Sequence, residues 1–157
     1  MRILFLTQII PYPPNAGPRI KTWHVLRYLV ESGHQVTLAS FIRPEEKTHL
    51  PVLENLCQRV FTVPIRRSRP ADLGYWLRSH LTGRPFLVER DGLPEMFALV
   101  NRLVSSGEVD LIQADQLSMA QFALKAASAV EKPPALVFDA HNATWMILDR
   151  MLENTPF

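Results

Sequence analysis

The chain has 157 residues, of which 47% are apolar and 20% charged, with a net charge of +2 at neutral pH. That is enough for one domain with a real core and too little for two, and it excludes a disordered chain. So small a net charge also supplies no overall field of the kind that nucleic-acid binding relies on. The single cysteine, Cys57, rules out an internal disulfide and leans towards a reducing compartment. Its place beside Leu53 and Leu56 reads as a buried thiol.

The first apolar run, 3–7, reads as a short strand covered on both faces. It is too short for a signal peptide, and Pro11, Pro13 and Pro14 end it without a small-residue cleavage site. No later run approaches the ~20 apolar residues of a transmembrane helix, so the expectation is a soluble, cytoplasmic protein. After the loop Pro11-Tyr12-Pro13-Pro14-Asn15-Ala16-Gly17-Pro18-Arg19, the residues Ile20, Trp23, Leu26, Leu29 and Val30 recur at helical spacing. Arg19, Lys21, Arg27 and Glu31 fall largely on the other side, and Gly33 stops the helix. A second strand over 35–41 completes a unit that implies a right-handed parallel crossover.

The alternation continues with a helix over 44–56, a strand over 59–63 and a helix over 71–81 broken at 82–85. A helix follows over 93–104, with Pro94 in its first turn and Gly107 beyond its end. A strand over 109–113, a helix over 118–130, a strand over 135–138 and a helix over 143–153 complete the chain. Strands alternating with helices predict an α/β, doubly wound, mainly parallel Rossmann-like sheet with helices on both faces, in a single domain spanning 1–157.

In open parallel sheets ligands bind outside the carboxyl ends of the strands, near the switch in strand order. The informative segments are therefore 8–19, 42–43, 64–69, 114–118 and 139–144. The first lacks Gly-x-Gly-x-x-Gly, and the second strand ends in Phe41-Ile42-Arg43 without the acid that would hold a ribose. Gly17 nevertheless allows a ligand close to main-chain amides at a helix start, where the dipole favours an anion. Pro18 has no amide to give, whereas Gly17 and Arg19 have. The prolines would hold such a lip at low entropic cost, and they serve equally well in a rigid turn.

At the later edges, Asp115 is placed to hold a hydroxyl-bearing substrate, or else Asp115 or Ser118 caps the next helix. His141 and Asn142 follow the fifth strand as hydrogen-bonding side chains. Asn142 or Thr144 is also a suitable cap, and Asp139 either orients the imidazole or simply ends the strand. Arg66, Arg67 and Arg69, with Arg78, Arg84 and Arg90, make a locally basic segment. It reads as a solvated face or as a contact for phosphate or an anionic membrane. His24, His34, His49, His80 and His141 have no ligand spacing, so no metal site is expected.

The segments Arg2-Ile3-Leu4-Phe5-Leu6-Thr7, Pro11-Tyr12-Pro13-Pro14-Asn15-Ala16-Gly17, His24-Val25-Leu26-Arg27-Tyr28-Leu29 and Gly33-His34-Gln35-Val36-Thr37-Leu38 resemble the start of GT-B glycosyltransferases of group 1, also called family 4. Asp139-Ala140-His141-Asn142 is similar to the segment that closes the first sheet in many members. The resemblance implies a two-domain enzyme whose amino-terminal, acceptor-side domain is this chain. The carboxy-terminal nucleotide-sugar domain, with its paired glutamates, would lie outside it, and the chain alone would be inactive.

By that resemblance Ala16, Gly17 and Arg19 form the donor-phosphate loop, with Ala16 standing where many members have a second glycine. His141 is implied as the catalytic residue at the transferred sugar, and Asp115, Gln116 and Asn142 as acceptor-binding. Transfer with retention, without metal or other cofactor, is implied, from a nucleotide-sugar donor to a glycan, lipid-linked or small-molecule acceptor. Peripheral contact with the inner face of a membrane through Arg66, Arg67 and Arg69 is a further expectation, and nucleic acid is not an expected partner. The rival readings are a nucleotide-sugar epimerase, an NAD(P)-dependent enzyme, or a non-catalytic interaction domain.

Overall fold

The computed structural model describes residues 1–65 and 68–140. These form a five-stranded sheet in the order β3-β2-β1-β4-β5, with every neighbouring pair parallel. The strands are β1 (Arg2–Thr7), β2 (Gln35–Ile42), β3 (Arg59–Pro64), β4 (Leu111–Asp115) and β5 (Ala135–Asp139). The helices are α1 (Gly17–Glu31), α2 (Leu50–Leu56), α3 (Arg69–Thr82), α4 (Phe86–Asp91), α5 (Pro94–Ser105) and α6 (Leu117–Ala127). This is the doubly wound, Rossmann-like α/β arrangement that the alternation implies.

Two cores follow from strand geometry, since successive side chains point to opposite faces. Leu4 and Leu6 join Ala39, Phe41, Val63 and Ile112 beneath Met96 and Val100 of α5 and Phe122 of α6. Phe122 is wedged between Phe97 and Phe41, with ring centroids 4.4 and 6.1 Å away. Ile3 and Phe5 join Val36, Leu38 and Ile42 beneath Leu26 of α1 and Leu53 of α2. The central strand therefore reads as a continuous apolar run, because both of its faces are covered.

Several boundaries differ from the expectations for local reasons. The helix expected over 44–56 is a 3-10 turn, Pro44–His49, followed by α2. Pro51 sits in the first turn of α2, and its missing amide cannot continue a helix arriving from before it. The fourth strand lies two residues later than the apolar pattern suggests. Asp110 turns its side chain back to the start of β1, accepting from the Arg2 amide at 2.7 Å and from its guanidinium at 2.6 and 3.2 Å. The short helix α4 was not anticipated. α3 begins earlier than the periodicity indicates, because Ser68 caps it, and it ends at Gly83 in the left-handed conformation. Ile20, expected on the apolar face of α1, is exposed in the first turn. α6 ends at Ala127 rather than 130, where Ser128 and Ala129 close a tighter turn. The helix expected over 143–153 lies outside the described residues.

Cys57 is buried as expected, and burial pushes its thiol up to about 12. The folded protein should resist aromatic disulfide reagents at mild alkaline pH and react fully in denaturant, as read by thiolate release. The hydrogen bonds from Arg2 hold the Asp110 carboxyl down at about 2. A depressed carboxyl stabilises the fold at pH values above its unfolded range, and that contribution is lost as pH falls towards 2. Asp110→Asn should flatten this part of the acid-unfolding profile relative to the parent chain.

Candidate functional site

The strand order makes one place special. From β1 the chain winds outward to β2 and β3, then crosses back to β4 on the other side of β1. The loops leaving β1 and β4 thus diverge at their carboxyl ends, the place where such sheets take their ligands.

The loop from β1 is pinned to the body. Ile10 and Pro11 are buried. Tyr12 packs against Trp23 and His49, with centroids 5.1 and 5.8 Å away, and the Tyr12–Pro13 peptide is cis. The Asn15 amide donates to the Pro13 carbonyl at 2.9 Å, a tight turn that delivers Ala16 in extended conformation as the N-cap of α1. Alanine offers no capping side chain, and the first intrahelical bond is made by Ile20 to Ala16 at 2.9 Å. The amides of Gly17 and Arg19 belong to the first turn, whose donors have no intrahelical partner. Ala16 and Gly17 are both exposed. A Cβ at Gly17 would meet nothing within 4 Å, and no positive φ is required there. The protein's own packing therefore does not demand glycine at this position.

Arg19 contributes its amide at this edge, while its guanidinium is committed elsewhere. It pairs with Glu46, largely buried beyond β2, whose other oxygen accepts from the Arg43 amide at 2.9 Å. Glu46 lies in the 3-10 turn Pro44–His49 that follows β2. The signal for it was its position three residues after Arg43, the spacing of a capping box.

Asp115 is the last residue of β4 and is 0% exposed. Its carboxyl lies 2.9 Å from the Thr22 hydroxyl of α1 and 3.3 Å from the Thr7 hydroxyl at the end of β1. Each hydroxyl has one proton to share with a second acceptor, Pro18 O or Ile9 O, at 2.9 Å. The expected acceptor-binding residue is thus enclosed, and here it ties three elements together. Neither Asp115 nor Ser118 caps α6. The N-cap is Gln116, whose side chain makes no capping bond. Gln116 has φ 79° and ψ 155°, a region occupied almost only by glycine, and its amide donates to the Asp139 carbonyl at 2.9 Å. Ser118, 3% exposed, has a hydroxyl without a hydrogen-bond partner among the described residues.

Lys21 of α1 pairs with Asp139, closing the far side of the edge. Gln8 donates to Asp91, which is buried at the end of α4 and also bonded by Arg90 at 3.1 Å. Arg90 lines a cleft of about 510 Å³ beyond β3, together with Pro64, Ile65, Asp72, Tyr75 and Glu95. Sequence reasoning missed Glu89, Asp91 and this cleft, because nothing local marks a charged residue as buried. His141, Asn142, Arg66 and Arg67 lie outside the described residues. Arg69 opens α3 and is exposed. Among the described residues no cluster of metal-ligating side chains occurs, and no helix is long and apolar enough to cross a membrane.

No protein-family model matches the chain, and no curated protein matches it in sequence. Its solved structural relatives include the carboxy-terminal domain of a hydrogenase from Pyrococcus furiosus. Residues 83–215 of that protein match with a TM-score of 0.57 at 13% identity, covering 88% of this chain and 90% of that one. A longer piece, residues 78–226, matches at 0.56 and 12% identity, with 87% and 89% covered. At such identity the likeness establishes a shared Rossmann-like fold.

Asp115→Ala would leave two hydroxyls facing a hole, and should destabilise the fold by about 1–3 kcal/mol. Gln116→Gly relieves the backbone constraint and should stabilise it by about 1 kcal/mol. Urea unfolding of both variants beside the parent chain checks the opposite signs.

Proposed function

We propose that the chain is the amino-terminal, acceptor-side domain of a GT-B glycosyltransferase that moves a sugar from a nucleotide-sugar donor to an acceptor hydroxyl, with retention and without metal. The observation that carries this reading is the carboxyl edge where the chain switches direction between β1 and β4. One lip is an exposed helix start at Ala16 and Gly17, held by a proline-stiffened loop, where packing does not ask for glycine. The other lip is the constrained backbone at Gln116.

In this reading the first-turn amides of α1 stabilise the departing diphosphate, as helix starts do for anions. The acceptor occupies the cleft beyond β3, where Asp72, Tyr75 and Arg90 offer hydrogen bonds to hydroxyls. Gln116 and Asn142 would border its reactive end, while Asp115 acts by holding α1 against β4. His141 supplies a hydrogen bond to the transferred sugar. Catalysis is then positional and electrostatic, which agrees with an edge where the carboxyl groups of Glu46, Asp91 and Asp115 are already engaged.

The test is sugar transfer by the protein carrying its donor domain. His141→Ala should lower turnover roughly 10²–10³-fold with an unchanged melting curve, and Gly17→Val should raise KM for the donor more than for the acceptor. The 157-residue chain by itself should unfold cooperatively and give no turnover. Normal turnover by His141→Ala, or transfer by this chain alone, overturns the reading. Tight binding of a nicotinamide nucleotide by this chain would move the assignment to the oxidoreductase alternative.

A further inference from the structure

The cleft of about 510 Å³ lies at the carboxyl end of β3, where Pro64 closes the strand. The first turns of α3 and α5 supply further walls through Asp72 and Glu95. Val63, Ile65 and Leu93 give it an apolar body. Among the described residues that line it, the polar side chains are Asp72 and Tyr75 of α3, Arg90 of α4 and Glu95 of α5. An apolar hollow of this size with a few converging polar groups has the usual form of a small-molecule site.

Arg90 is the fixed point of this lining. Its Nε donates to Asp91 at 3.1 Å, and its guanidinium carbon lies 5.5 Å from the centre of the Phe86 ring. Asp91 is 1% exposed and also accepts from Gln8 of the loop after β1, so the group that aims Arg90 is itself anchored. Held at Nε, the guanidinium keeps its two terminal nitrogens as a planar pair of donors. Asp72 and Glu95 are different. Each sits in the first turn of its helix, where the helix start favours the ionised carboxylate. Neither makes an ion pair among the described residues. A phosphate or carboxylate entering the cleft would face both of these negative groups. Hydroxyl groups would instead donate to the carboxylates and accept from Arg90.

The position of the cleft decides which part of a ligand it can take. β3 is two strands away from β1, and neighbouring strands are about 4.8 Å apart, so the end of β3 lies roughly 10 Å to the side of the end of β1. A group seated beyond β3 is therefore not the group that reacts between β1 and β4. We propose that the cleft binds an uncharged sugar unit adjacent to the reacting one, with Arg90 and Asp72 reading its hydroxyls and Asp91 aiming Arg90. The acceptor is then a glycan or glycoside of at least two units whose distal unit carries no phosphate or carboxylate. Arg90 and Asp72 set specificity, and Asp91 is a positioning residue that acts through Arg90. The acceptor role of this sugar rests on the proposed transfer activity, whereas its binding does not.

The experiment is a saturation-transfer NMR titration of the full chain with glucose, galactose and mannose, and with the 6-phosphate of each. At least one neutral hexose should bind saturably, and its 6-phosphate should bind about tenfold or more weakly. Arg90→Ala and Asp72→Ala should each lose about tenfold or more in affinity for the neutral sugar, since each removes a charge-assisted hydrogen bond. Their melting curves should match the parent chain. Asp91→Asn should weaken the neutral sugar and narrow the gap to the phosphate, because Arg90 loses its compensating carboxylate. A packing role alone would not change that ratio. In the transfer assay, acceptors of two units should have a lower KM than one-unit acceptors, and Arg90→Ala should remove that advantage with kcat unchanged. The proposal is overturned if no neutral hexose binds, if the 6-phosphates bind as well or better, or if folded Arg90→Ala and Asp72→Ala bind like the parent. Transfer without binding in the cleft defeats this proposal alone, and binding in the cleft without transfer defeats the glycosyltransferase reading alone.

Discussion

The carboxyl of Asp115 sits where the two halves of the sheet separate, and three elements are fixed through it. Parallel strands β1 and β4 run side by side only as far as Thr7 and Asp115, which are register partners. Beyond that pair the chain leaves in opposite directions. The hydroxyls of Thr7 and Thr22 meet the buried carboxyl at this point, so the end of β1, the first turns of α1 and the end of β4 share one polar knot. A polar group sealed from water is costly unless bonded. The requirement to satisfy Asp115 therefore locks the helix start carrying Gly17 against the strand end carrying Gln116.

The rest of the carboxyl edge is held by the same kind of interaction. Glu46 is engaged by Arg19 and by the Arg43 amide, Asp91 by Gln8 and Arg90, Asp139 by Lys21. The Arg19, Gln8 and Lys21 links join elements far apart in sequence: α1 to the segment after β2, the loop after β1 to α4, and α1 to β5. The two apolar cores hold the helices on the sheet, but dispersion and burial are non-directional. Directional bonds at the edge set where each loop ends, which is what a binding site needs from its supports. At the opposite edge Arg2 is clipped to Asp110 and Arg59 to Glu108, beside a small cavity of about 120 Å³.

The region between β3 and α5 follows a different logic. α3 is fastened to α4 through the buried Glu89 and shelters a polar face, leaving its leucines and Trp76 outward. The cleft lined by Asp72, Tyr75 and Arg90 exists because this helix leans on α4 rather than sinking into the core. A helix with its apolar face inward would have filled that space.

The sequence by itself determined the alternation of strands and helices, the parallel sheet, the apolar central strand and the burial of Cys57. Those properties depend on local periodicity and on proline and glycine stops, which a single pass along the chain registers. The placing of the loop 8–19 and of Asp115 at the carboxyl edge of the sheet was also legible, because strand ends fix the edge. Tertiary structure decided what the periodicity could not. The apolar spacing of α3 reads the same whether its leucines face a core or a solvent, and only the position of α4 settles the direction. Asp115 and Glu46 look like surface acids in sequence, yet partners 93 and 27 residues away, Thr22 and Arg19, enclose them. Gln116 carries no mark of its positive φ, because that angle is imposed by the end of β4, the start of α6 and the Asp139 carbonyl together. Burial, handed direction and backbone constraint are properties of what surrounds a residue, and the surroundings exist only once the chain has folded.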